Sequence, residues 1–218
     1  MIIDPYTWNP LTIDRIEPAA KDTLSVYLKR PAGYHFRAGQ YAIVRVQSSG
    51  SSWIRQYSFA SAATNDTIEL LIQRAQDGIV SSWFFDTAKA GDTIELSQAF
   101  GNFVREDTTK PTTFIAGKVG VAPFLSMLRS NGENCQLLYC VREESELCHP
   151  ELCEAIQARY FISNEHSRMT TGDLKEVAKR RELVYICGSK AFVDAISDTL
   201  KELGLTTELI RKELFTLE

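Results

Sequence analysis

Arg55-Gln56-Tyr57-Ser58 is the first run of binding chemistry in the chain, and it follows a Ser/Gly-rich turn at residues 48–52. The guanidinium presents a planar fork of donors suited to phosphate, the phenol ring offers a flat face, and the hydroxyl both donates and accepts. Along one extended segment these groups suit a pyrophosphate joined to a planar ring system. A surface Arg55 with a core Tyr57 is the plainer alternative.

Three further constellations could carry chemistry. In Gly78-Ile79-Val80-Ser81-Ser82-Trp83 a glycine and two hydroxyl residues stand where a helix begins. Backbone N–H groups there can face an anion, with the helix dipole assisting. Ser81 and Ser82 as ordinary capping residues, with Trp83-Phe84-Phe85 as core, are the alternative. Gly117-Lys118-Val119-Gly120-Val121-Ala122-Pro123 lies between an apolar run and a helical pattern, the position at which parallel sheets bind nucleotides. It is not a complete G-x-G-x-x-G fingerprint, and Lys118 could attract phosphate or be solvated. Cys187-Gly188-Ser189 closes another apolar run and opens a helix, where a ligand can approach closely; a buried apolar cysteine is the alternative.

These segments need two kinds of element to position them. Residues 23–28, 41–46, 67–72 and 93–96 read as short strands punctuated by glycines, which predicts an antiparallel barrel or sandwich. After Lys110-Pro111 the pattern changes. Residues 113–116, 136–141, 160–163 and 183–187 read as strands, with helical patterns at 122–129, 150–158 and 192–203. Strand alternating with helix predicts a parallel sheet of βαβ units. The expectation is therefore a β domain over residues 1–107 and an α/β domain over 108–218, joined near 106–111.

The formal net charge of −4 argues against a nucleic-acid binder, which carries a basic face. No apolar run approaches the about 20 residues needed to cross a bilayer. Residues 1–10 lack a basic segment followed by an apolar stretch, so a cytoplasmic location is expected. Four of the five cysteines cluster at Cys135, Cys140, Cys148 and Cys153, but without a C-x-x-C pair they read as structural thiols rather than a metal site. His35, His149 and His166 read as surface histidines that nothing pairs.

In order and spacing the segments resemble the ferredoxin–NADP reductase superfamily over almost the whole chain. Phe36 to Tyr41, Arg55-x-Tyr57-Ser58, Gly78 to Ser82, Phe100-Gly101-Asn102-Phe103, Phe114 to Pro123, Val184 to Gly188 and Glu213-Leu214-Phe215 are the segments that carry it. The resemblance implies a six-stranded antiparallel Greek-key flavin barrel followed by a nucleotide-binding α/β domain, with FAD as cofactor and NADPH or NADH as substrate. It implies that Arg55, Gln56, Tyr57, Ser58, Gly78, Val80, Ser81, Ser82 and Phe215 hold the flavin. Gly117, Lys118, Val119, Gly120, Arg142, Cys187 and Gly188 would meet the nucleotide, and Ser58, Cys187 and Glu213 would serve catalysis. Ser58 would bond flavin N5.

Three departures stand out: Lys118 and Val119 where the family usually has Gly and Thr, Ser189 where it usually has Pro, and no appended cysteine-rich module. The implied activity is electron transfer from NAD(P)H through FAD to a protein acceptor such as ferredoxin, flavodoxin or an oxygenase component. A free-flavin reductase, or a flavin subunit that has lost nicotinamide binding, is the alternative. Arg142, Ser163 and Arg168 could meet a 2′-phosphate, opposed by Glu143 and Glu165, and the reading leans to NADPH. Arg37, Arg45 and Lys89 could contribute to a patch for an acidic acceptor.

Overall fold

The computed structural model describes residues 5–48 and 50–215. The first four positions of the expected leaderless N-terminus lie outside the described residues. Strands β1 (Asn9–Ala20), β2 (Thr23–Lys29), β3 (Tyr41–Ser48), β4 (Ser51–Ser58) and β5 (Thr67–Gln73) precede helix α1 (Ile79–Asp86) and strand β6 (Thr93–Leu96). They form one antiparallel six-stranded sheet in the order β4-β3-β6-β1-β2-β5. The outer strands approach through the isolated Phe59–Leu70 bridge rather than a ladder, so the barrel curls without closing. Alternate residues of β2, β3 and β5 fill its interior, among them Val26, Leu28, Val44, Val46, Ile68 and Leu70.

The second half contains β7 (Thr112–Gly117), α2 (Ala122–Asn131), β8 (Cys135–Val141), α3 (Pro150–Ala155), β9 (Arg159–Ile162), α4 (Thr171–Arg180), β10 (Leu183–Ser189), α5 (Lys190–Glu202) and β11 (Ile210–Phe215). Its parallel sheet runs β11-β10-β7-β8-β9. Alternation decides the layers. Phe114, Leu137, Tyr139 and Tyr185 face α2, α3 and the barrel, while Ile115, Leu138, Val184 and Ile186 face α4 and α5. β4 and β11 were read from sequence only as motif segments, and α4 was not anticipated.

Two polar clusters join the halves. The buried Arg105 guanidinium donates to the carbonyls of Thr108, Lys110, Asn131 and Asn134 and to Thr112 Oγ1, so the connecting segment is held from within. Glu69 of β5 accepts from Arg129 of α2 at 2.5 Å and lies 2.6 Å from His149 Nε2. His149 is only 14% exposed and also contacts Ser25 and Glu151, so the expectation of an unpaired surface histidine is corrected. Its partner is 80 positions away, and no local pattern announces it.

All five cysteines are free thiols, with Cys148, Cys153 and Cys187 buried. Among the described residues no group of three His, Cys, Asp or Glu side chains could hold a metal ion. Of the residues that could contribute to a patch for an acidic acceptor, Arg37 is paired with Glu106 and Arg45 with Glu95, and Arg45 also lies over Trp8.

Candidate functional site

Two clefts meet where the barrel faces the C-terminal ends of the parallel strands. The first, about 320 Å³, takes Arg55, Gln56, Tyr57 and Ser58 from β4 and Glu213 and Phe215 from β11. Arg55 and Tyr57, two apart on an extended strand, share a face. One Arg55 nitrogen donates to the Ile54 carbonyl at 2.8 Å, leaving the rest of the fork to other acceptors. Burial pushes the Tyr57 phenol well above its ordinary range, so it stays neutral, and its ring meets Phe84 edge-on at 6.5 Å. At the end of the strand, Ser58 Oγ is buried with no hydrogen-bond partner among the described residues.

The start of α1 supplies Gly78, Val80 and Ser81 to the same cleft. Neither serine caps the helix, because Gly78 is the N-cap and brings no side chain. Ser81 Oγ instead accepts from Ala75 N and donates to the Gly78 carbonyl, both at 3.1 Å, which folds the turn. A Cβ on Gly78 would come within 2.7 Å of Ser81 Oγ and 2.8 Å of Ala75 Cβ, so the turn needs glycine. The leading N–H groups of α1 are thereby free of side-chain caps at the positive end of its dipole, a seat for an anion. Ser82 does not line the cleft, and its N–H donates to the Gly78 carbonyl.

Glu213 lies opposite Cys187 in the parallel register of β10 and β11. Its carboxyl makes no hydrogen bond or ion pair among the described residues, and burial pushes its pKa up to about 7. Cys187 is fully buried, and burial together with the nearby Glu213 charge keeps its thiol protonated.

The second cleft, about 380 Å³, takes Gly117, Lys118, Val119, Arg142 and Gly188, and also Ser163 and Arg168. Gln73, Val119 and Phe215 line both clefts, so the two are continuous at those side chains. Gly120 and Cys187 line neither, because the loop packs on the strand end. A Cβ on Gly120 would stand 2.4 Å from the Cys187 carbonyl oxygen. A Cβ on Gly117 or Gly188 would meet the Phe192 ring at 2.9 Å. The smallness of these glycines serves protein packing, which corrects the expectation that Gly120 opens space for a ligand.

Lys118 is partly exposed and its ammonium is engaged by a carboxylate. It takes the left-handed region at φ +50°, and its Nζ lies 2.7 Å from Glu146 Oε1. The other Glu146 oxygen accepts the Arg142 backbone N–H at 2.7 Å. Burial would raise the Glu146 carboxyl, but these two donors outweigh it and hold the pKa below its ordinary value. Arg142 and Arg168 make no ion pair among the described residues. Glu143, expected to oppose a 2′-phosphate, is engaged by Lys21. Ser189, at the position expected to carry proline, caps α5 by accepting from Phe192 N.

Sequence reasoning missed Tyr6, Ile54, Gln73 and Leu214 in the first cleft and Phe192 in the second. Ile54 and Leu214 carried a signal: they are large apolar residues interleaved with motif positions, and they are 41% and 46% exposed. Nothing around Gln73 marks it.

Residues 10–104 match the family model described as the oxidoreductase FAD-binding domain. The chain is 29% identical to a flavohemoprotein of Bacillus subtilis (strain 168) over 95% of its own length and 59% of the relative's. It is 30% identical to the reductase component of propane 2-monooxygenase from Rhodococcus jostii (strain RHA1), over 94% of this chain and 62% of that one. The chain thus spans about three fifths of the length of these curated relatives. Among solved structures, the Amycolatopsis cytochrome P450 reductase GcoB superposes with a TM-score of 0.81 at 26% identity, over 98% of this chain and 72% of that one. A ferredoxin NADP+ reductase from Neisseria gonorrhoeae, solved with FAD and NADP, shares the fold with a TM-score of 0.77 at 21% identity, over 95% and 98% of the two chains.

Proposed function

We propose, from the premise that this chain belongs to the ferredoxin–NADP reductase superfamily, that it is an NAD(P)H-dependent flavin oxidoreductase delivering electrons to a protein acceptor. The observation that carries this reading is the continuity of the two clefts at Gln73, Val119 and Phe215, with the unpartnered Ser58 hydroxyl and the unpaired Glu213 carboxyl in the first of them. FAD fits the donor set of that cleft. Arg55 and the leading N–H groups of α1, around Gly78, Val80 and Ser81, would hold its pyrophosphate, whereas Ser82, expected to share in this, spends its N–H on the Gly78 carbonyl. Gln56, Tyr57 and Phe215 would hold its ring system, and Ser58 would donate to it. Bound there, FAD would supply the redox chemistry, taking two electrons from a nicotinamide and releasing them singly.

The nucleotide would enter the second cleft, over Gly117, Val119 and Gly188 and toward Arg142. Gly120 and Cys187 support that wall from beneath, and Cys187 acts as a neutral packing group there. Glu213, titrating near neutrality, would hold or give up a proton close to the reacting rings. The unpaired Arg142 and Arg168, with Ser163, favour NADPH as donor. The flavin domain would comprise residues 1–107 and the nucleotide domain 108–218. Among the described residues no helix is long and apolar enough to cross a membrane.

Anaerobic addition of NADPH and then NADH to the purified, FAD-loaded protein tests the reading. Rapid bleaching of flavin absorbance is expected, faster with NADPH. Bound flavin unmoved by either nucleotide would instead favour an electron-transfer subunit. A protein that cannot retain FAD yet consumes NAD(P)H with free flavin would be a flavin-as-substrate reductase.

A further inference from the structure

We propose that Lys118 is a phosphate-binding residue held in reserve by Glu146, so that Glu146 competes with the nucleotide for the same ammonium. This rests on the reading of the second cleft as the nucleotide site. Lys118 stands immediately after Gly117, the last residue of β7, at the strand end where parallel sheets receive phosphates. It lines the cleft together with Arg142. Its ammonium nevertheless sits 2.7 Å from Glu146 Oε1.

The two partners differ in freedom. Glu146 is fixed by its second oxygen, which accepts the Arg142 backbone N–H at 2.7 Å, and its side chain is only 12% exposed. Lys118 is 36% exposed and carries its charge on a flexible four-carbon stem. The lysine is therefore the partner that moves, and the carboxylate is a fixed post. The carboxylate also belongs to a segment tied to the barrel. Lys21 N donates to the Ser145 carbonyl at 2.6 Å, and the Lys21 side chain engages Glu143, so the post does not follow the lysine.

A nucleotide pyrophosphate entering the cleft would take the ammonium from Glu146. Binding then includes the loss of one partly exposed ion pair. Affinity is lower than a free lysine would give, and it responds to any change at Glu146.

Calorimetric titration of the FAD-loaded protein with ADP-ribose tests this, since that probe carries the pyrophosphate without the nicotinamide. Glu146→Gln keeps an acceptor for the Arg142 N–H while releasing Lys118, and should tighten ADP-ribose binding about fivefold, the size of such a pair. Lys118→Asn, which tolerates the left-handed backbone, should weaken it by a similar factor. The double variant should match Lys118→Asn alone, because Glu146 acts only through the lysine. An Glu146→Gln effect that persists without Lys118, or no effect of either single change, overturns the proposal while leaving the nucleotide site standing. Failure of the unsubstituted protein to bind ADP-ribose would remove both.

Discussion

The Glu69 carboxylate of the barrel lies 2.6 Å from His149 Nε2 of the parallel-sheet half, which makes a single contact a joint between the two sheets. Burial alone would raise the Glu69 pKa, but His149 and Arg129 outweigh it and hold it down to about 2. Burial alone would lower the His149 pKa, but Glu69 outweighs it and raises that value above 6.5.

The signs define a pH window. Glu69, depressed from 4.5, contributes stability that is present above 4.5 and lost as pH falls toward 2. His149, raised from 6.5, contributes stability that is full below 6.5 and lost as pH rises through its folded pKa. The joint is therefore strongest between 4.5 and 6.5. His149→Asn, compatible with the backbone at φ +49°, should lower unfolding free energy in that window by about 2 kcal/mol. Urea unfolding against pH checks it: the gap between the two proteins should narrow in alkaline buffer, and a constant gap would show that His149 acts only by packing.

Ser58→Ala separates function from fold. The buried hydroxyl has no partner among the described residues to lose, so the apoprotein should be no less stable in the variant and should gain about 1 kcal/mol. Flavin reduction by NADPH, followed by stopped flow, should slow about tenfold or more while FAD is retained. An unchanged rate would remove Ser58 from the site.

Much of the fold was legible because it lies in local patterns. The segments read as strands at residues 23–28 and 67–72 return with almost the same bounds as β2 and β5, although β5 is buried on both faces, and the apolar runs of the second half become β7, β8 and β10. β1 was hidden because Pro10 and Pro18 and its charged residues interrupt a strand that takes its burial from two neighbours. α4 is polar and half-exposed, and its one clear signal was the Thr170–Asp173 capping box. At the site, the residue types of the β4 and α1 segments were readable, whereas the partners of Lys118 and His149 depend on approach between distant segments. A left-handed Lys118 bonded to Glu146 leaves no trace in spacing.

Glu213→Gln should flatten two pH profiles. An acid with a folded pKa of about 7 keeps a proton that the unfolded chain loses above 4.5, so the fold is progressively disfavoured as pH rises from 4.5 through 7. Melting temperature measured across that range should fall less in the variant than in the unsubstituted protein. The pH dependence of flavin reduction should likewise lose its inflection near 7. Retention of that inflection in the variant would assign it to another group.

Arg142→Ala tests the donor preference. The side chain lines the second cleft beyond Lys118 and makes no ion pair among the described residues, so its charge is available to a ligand. A 2′-phosphate adds a doubly charged acceptor that a guanidinium can hold through two parallel bonds, while the 2′-hydroxyl of NADH offers no such partner. Removing the side chain should raise the KM for NADPH about tenfold, or 1.4 kcal/mol, and change that for NADH by much less. Because Glu146 grips the Arg142 backbone N–H and not its guanidinium, the loop should keep its place in the variant. Steady-state reduction of an artificial acceptor with each nucleotide measures the ratio. Equal increases for both would mean that Arg142 meets a part the two nucleotides share, and the preference for NADPH would then have to rest on Ser163 and Arg168.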